Sequence, residues 1–204
     1  MIMFRKAIDT AQPIHDVLAL RWSGRAYDPA RGVARAELVA LLEAARWAPS
    51  CYGDQPWRYV IWDRIRDREC WQGAFDCLAD GNRLWAKEAP VLMLASADSV
   101  LTRTGAANRW GQYDTGAATM ALCVQATALG LMVHQMGGFD VARVRVVARV
   151  PERFMPMAMI TVGYQVPEDS IPPEAREREL APRVRRPLTE TFFEGGWEEA
   201  IRTD

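Results

Sequence analysis

A single domain that mixes helices with strands is what this sequence predicts. Half of its 204 residues are hydrophobic, enough to bury a sizeable core as one domain. Helix-period apolar patterns alternate along the chain with short strand-like runs. From residue 167 onward the composition turns to Pro, Glu and Arg, which gives that stretch no core of its own. The chain therefore reads as a core, 1–166, and an arm, 167–204, of the same domain.

Charge and cysteine usage exclude several classes. Lys+Arg 25 against Asp+Glu 26 leaves a net charge of -1, with no electrostatic footprint for nucleic acid. Small molecules or a second copy of the chain are the expected partners. Cys51, Cys70, Cys77 and Cys123 form no C-x-x-C pair, and only His15 and His134 are available to join them at a metal. A reduced cytoplasm is the expected compartment. Residues 115–139 carry no charge, but Ala, Gly, Thr and Gln with breaks at Gly130 and Gly137–Gly138 argue for a buried helix rather than a membrane span.

Taken in order, 14–20 reads as a short helix, followed by Arg21, Ser23 and Arg25, which leave an extended segment on one side. Two guanidiniums with a hydroxyl between them suit an anion, though a solvated basic turn gives the same spacing. Residues 37–47 form an amphipathic helix running into Pro49. A turn of small and polar residues, 49–55, faces outward for its hydrogen bonds, and the chain resumes as a strand at 57–62. Cys51 is a nucleophile only if a base stands beside it, and otherwise a bystander thiol. Residues 63–78 read as one helix, with Cys70 and Cys77 on one face.

Gly81–Asn82 has the form of a turn ahead of a strand at 91–95. Residues 98–113 are a polar, mobile excursion over the site, with Trp110 and Tyr113 available to stack on a substrate or to pack. Asp114 caps the long helix. A strand at 131–134 leads to Gly137–Gly138, where the absence of a Cβ lets backbone approach a ligand. A helix, 141–150, and a last strand, 157–164, complete the core. The aromatics Phe192, Phe193 and Trp197 on the polar arm suggest that it wraps a partner subunit.

Four segments together carry a resemblance. A-A-R-W-A-P-S-x-x-x-x-Q-P-W-R-Y, residues 44–59, is similar to a motif of the FMN-dependent nitroreductases. R-x-S-x-R-x-Y, 21–27, resembles that family's first FMN-binding segment. G-L-x-x-x-x-x-x-G-F-D, 130–140, resembles the segment whose backbone N–H lies against flavin N5. A-P-R-V-R-R-P, 181–187, matches the basic pair that grips the phosphate.

The resemblance implies an α+β fold: a mainly antiparallel central sheet flanked by helices, its C-terminal arm exchanged in a homodimer with two FMN molecules at the interface. It implies FMN contacts from Arg21, Trp22, Ser23 and Arg25, with Arg25 near the pyrimidine edge. Pro49, Ser50, Cys51 and Gly53 would face the isoalloxazine. Asn82 would meet the pyrimidine, Met136, Gly137 and Gly138 would lie near N5, and Arg183 and Arg185 would hold the phosphate, with Arg186 a possible register alternative. Gly53 departs from the Asn common in the family, leaving Tyr52 or Asp54 to shape the pocket, and an acidic residue frequent before the last Gly is absent.

The implied activity is hydride transfer from NADH or NADPH through FMN to a small electron-poor acceptor such as a nitroaromatic or quinone, by a ping-pong mechanism, with no protein residue needed as acid or base. Dehalogenating, flavin-cleaving and enoyl- or aldehyde-reducing relatives share the scaffold. A flavin-binding protein without turnover and a thiol hydrolase built on Cys51 are the readings from other classes.

Overall fold

The computed structural model describes residue 4 and residues 6–203. Its centre is a four-stranded antiparallel sheet in the order β1-β2-β4-β3, made of β1 Trp57–Asp63, β2 Val91–Asp98, β3 Met132–Met136 and β4 Phe154–Gly163. Around it lie α1 Asp16–Leu20, α2 Arg35–Arg46, α3 Arg68–Phe75, α4 Asp80–Ala86, α5 Gly111–Ala128, α6 Val141–Val147 and α7 Pro173–Leu180. The architecture is α+β, as expected.

The two-residue period of β2 explains how one sheet serves two cores. Val91, Met93 and Ala95 join Leu38 and Leu41 of α2 and Ala118, Leu122 and Ala126 of α5. Leu92 and Leu94 point the other way, to Trp71 and Ala74 of α3 and Ala86 of α4. Every position of β2 is buried, each large aliphatic contributing about 1.5–3 kcal/mol. The charge-free sequence of α5 follows from its place: Ala118, Leu122 and Ala126 are fully buried, and its outer face presents Tyr113, Gly116 and Met120 without a charge. No described helix is long and apolar enough to cross a membrane.

Several local expectations are corrected. Residues 63–78 are not one helix. Asp63 closes β1, and Asp67 accepts the Cys70 N–H at 2.9 Å, so its side chain starts α3 only at Arg68. Cys70 is exposed and Cys77 buried beyond the helix end, so the two do not share a face. Gly81 and Asn82 lie inside α4, not in a turn. Asp80 in its first turn favours the helix, and the Asn82 side chain is bonded outside it. Asp114 does not cap α5, whose N-cap is Trp110; it stands in the first turn with its carboxylate turned to Cys51.

Residues 98–113 are closed on themselves by a Val100–Ala107 bridge and an Asn108 N–H to Ser99 carbonyl bond of 2.7 Å. The arm does reach a core: Ile171 and Glu179 are buried, and α7 begins with Pro at its first position, where no N–H is needed.

Candidate functional site

Beyond α1 the chain runs extended alongside the exit of β4. Val166 donates to the Ala26 carbonyl at 3.0 Å and Asp28 to that of Tyr164 at 2.8 Å. The buried Tyr27 hydroxyl meets Thr161 Oγ1 at 2.7 Å. This pairing fixes which way residues 21–26 face. Trp22, Gly24 and Ala26 are buried, whereas Ser23 is exposed and Arg21 and Arg25 are half-buried. The expected one-sided display of Arg21, Ser23 and Arg25 is present. Trp22 faces the other way, edge-on to Phe4 and under the Lys6 ammonium, so its backbone is what it can offer a ligand on the Ser23 side.

Helix α4 joins this segment to the Gly137–Gly138 turn. Asn82 Nδ2 donates to the Gly138 carbonyl at 2.9 Å, and the Ala79 N–H reaches the same oxygen at 3.0 Å. One turn later Trp85 lies against the His134 ring, centroids 4.5 Å apart, with the Arg25 guanidinium 5.6 Å from its centroid. His134 Nδ1 meets the Gly24 carbonyl at 3.0 Å. Burial holds this imidazole below its usual value, with the charges of Arg25 and Arg21 acting the same way against the Gly24 bond. A Cβ on Gly138 would stand 2.9 Å from Asn82 Nδ2, while one on Gly137 would meet nothing within 4 Å. Met136 is buried in the second core, leaving its backbone for the site.

The third component is a set of arginines. Arg183 donates from Nη1 to the Ala19 carbonyl and from Nη2, at 2.9 Å, to that of Arg21. Burial, then the positive charges of Arg21 and Arg185, hold Arg183 below the usual guanidinium range. Among the described residues no carboxylate forms an ion pair with Arg21, Arg25, Arg183 or Arg185. Like charges gathered without an acidic partner suit an anion. Arg185 is exposed, with one N–H on the Val184 carbonyl.

The Pro49–Gly53 turn is built separately. Ser50 Oγ accepts the Gln55 N–H at 3.1 Å, Asp114 Oδ2 accepts that of Cys51 at 3.0 Å, and Asp54 Oδ1 accepts that of Thr102 at 3.0 Å. These bonds hold Tyr52 at φ 56° and Gln55 at φ 50°, left-handed backbone that costs a non-glycine residue of order 1 kcal/mol or more. Pro49 and Gly53 are exposed, and so is Tyr52, with the Arg103 guanidinium 4.8 Å from its ring centroid. No base is hydrogen-bonded to the Cys51 thiol among the described residues, and no described group of side chains could hold a metal.

The two parts of the site stand at opposite ends of α5. Asp114 binds the Cys51 turn, and Cys123, nine residues on, touches Gln135 beside the glycine turn at 3.5 Å. At 1.5 Å per residue this is about 13 Å along the helix. None of the hydrogen bonds, ion pairs or ring contacts among the described residues joins the two parts. Trp85, His134 and Glu179 were not foreseen. The one signal, for Trp85 alone, was the segment 80–88, whose Asp80 start announces a helix.

This geometry has close counterparts. A solved oxidoreductase containing FMN superposes with TM-score 0.84 at 32% identity, covering 93% of this chain and 95% of its own. A nitroreductase family protein from Clostridium difficile 630 gives TM-score 0.69 at 25% identity, over 93% and 99% of the two chains. An Archaeoglobus fulgidus protein, provisionally named NADH dehydrogenase/NAD(P)H nitroreductase, is 26% identical over 160 residues, 76% of this chain and 87% of its own. The family model described as Nitroreductase family matches residues 18–164, a span that holds the Arg21–Arg25 segment, the Pro49–Gly53 turn, α4 and both site glycines, and so the chain belongs to the nitroreductase family.

Proposed function

We propose that the protein is an FMN-dependent oxidoreductase that takes hydride from NADH or NADPH and passes electrons to a small electron-poor acceptor, a nitroaromatic or quinone, by a ping-pong mechanism. The observation that carries this reading is the set of arginines that have no acidic partner among the described residues, Arg21, Arg183 and Arg185, together with a glycine turn with open space at Gly137. The relative that contains FMN and the one named for NAD(P)H support it.

When bound, FMN supplies the redox chemistry at N5, and the protein's task is to hold and tune it. Arg21, Arg185 and the uncommitted N–H groups of Arg183 would hold the terminal phosphate. Ser23 and Arg25 reach the ring from the same side of the extended segment. Arg25 Nε is buried without a partner among the described residues, a donor that a ring-edge acceptor would satisfy. Asn82 fixes the Gly138 carbonyl so that the turn presents its N–H groups and open face to the ring.

The separation of the Pro49–Gly53 turn from the other ring-facing groups supports a homodimer in which each flavin draws that turn from one copy and the remaining groups from the other. The uncharged outer face of α5 suits the interface. Residues 186–203 hydrogen-bond only among themselves in the described structure, which suits an arm that crosses to a second subunit. A screen of NADH and NADPH oxidation across nitroaromatics, quinones and aldehydes tests the reading. Turnover with at least one acceptor is expected, and tight FMN without any NAD(P)H oxidation would leave binding alone.

A further inference from the structure

Glu179, in the last turn of α7, is the most deeply placed acidic group of the arm, with 2% of its surface exposed. Its Oε1 accepts the Arg25 N–H at 2.7 Å, a bond spanning 154 residues. Its Oε2 is buried with no hydrogen-bond partner among the described residues, and the Ala26 N–H is the next donor to act on the carboxylate after that of Arg25. A Cβ on Gly24 would come within 3.1 Å of Oε2 and 2.2 Å of Met132 Sδ, so the carboxylate is wedged under the buried face of residues 22–26. The opposite face carries Arg21, Ser23 and Arg25. No cation forms an ion pair with Glu179 among the described residues, and the Lys6 and Arg25 charges act on it from farther off.

A buried carboxylate with an unpartnered oxygen is costly, and an amide or an apolar side chain of the same volume would fill the space at less cost. We propose that Glu179 is a positioning residue of the Arg21–Arg25 segment and places a fixed negative charge behind the ring-edge arginine, so that docking of the arm also tunes the electron affinity of the bound flavin. This rests on the flavin reading above. The sign follows from Coulomb's law: a negative charge behind Arg25 opposes the added electron density of the reduced ring, so removing it favours reduction. Glu179 and Arg25 therefore pull the midpoint potential in opposite directions. Burial pushes the Glu179 carboxyl up, against the Arg25 and Ala26 N–H groups and the charges of Lys6 and Arg25.

Two variants separate charge from position. Glu179→Gln keeps the acceptor and the volume and removes only the charge; Glu179→Met keeps the volume and removes the acceptor. With FMN bound, Glu179→Gln is expected to raise the ratio of reduced to oxidised flavin at fixed potential at least threefold, about 14 mV for a two-electron couple. In the apoprotein, amide hydrogen exchange at Arg25 and Ala26 should stay near wild type in Glu179→Gln and accelerate at least tenfold in Glu179→Met. An unchanged midpoint in Glu179→Gln overturns the charge role, and equal protection in Glu179→Met overturns the positioning role. A wild-type protein that takes up no flavin defeats the flavin reading instead, and the exchange measurement then judges Glu179 on its own.

Discussion

Arg25 concentrates the chemistry at the scale of single residues. Its backbone is pinned by Glu179 and its Nε is buried without a partner among the described residues, so its guanidinium is held at the site rather than free in solvent. If it faces the ring edge, it stabilises the reduced flavin more than the oxidised one. Arg25→Ala should then lower the two-electron midpoint; a charge-assisted contact of roughly 1–3 kcal/mol corresponds to a shift on the order of 20–60 mV. Spectroelectrochemical titration reads it, and weaker FMN affinity at an unchanged midpoint would assign Arg25 to the phosphate instead. The two glycines form a second contrast. Gly137→Ala meets no atom within 4 Å, so urea stability should stay within about 0.5 kcal/mol of wild type while FMN affinity falls. Gly138→Ala collides with Asn82 Nδ2, so both should fall. At this scale the one-sided display of Arg21, Ser23 and Arg25 was legible because extended backbone has a fixed period of two. The roles of Trp85, His134 and Glu179 were not, since each depends on contacts far along the chain.

Elements show where local pattern is sufficient and where it is overruled. β1, β2, β3 and β4 were legible from their apolar runs, α2 from its periodicity, and α5 from its charge-free composition. α4 was missed because Gly81 and Asn82 are turn formers by themselves, and the contacts that hold it as a helix, the Asn82–Gly138 bond across 56 residues among them, are remote in sequence. The strand ends carry a testable pair. Asp98 closes β2 with its side chain 1% exposed, bound by Arg153 just ahead of β4. Burial pushes the Asp98 carboxyl up, but the Arg153 bond, the Val100 N–H and the charges of Arg153 and Arg58 together hold it below the ordinary 3.8. A lowered carboxyl value contributes stability that is complete above the unfolded value and lost as pH falls through the folded one. Arg153→Met should therefore unfold at lower urea concentration than wild type at neutral pH, with the gap closing below about pH 3.8. A gap that persists in acid would show that Arg153 acts through packing alone.

The whole molecule depends on its arm. α7 carries Glu179 under the Arg21–Arg25 segment, and Arg183 clamps the carbonyls of Ala19 and Arg21. The arm's polar composition hid this docking, because the single buried carboxylate that anchors it reads in sequence as one more surface charge. Cutting the chain after Pro167 should abolish FMN retention together with dimerisation, and light scattering showing a flavin-loaded dimer of the shortened protein would contradict that. The central claim is that these arginines form a site for a flavin ending in a terminal phosphate, on a chain with no G-x-G-x-x-G dinucleotide fingerprint. Mass spectrometry of the cofactor released from purified protein, reconstituted if necessary, tests it most directly. FMN is the predicted mass; FAD, or no flavin after reconstitution, would contradict the account.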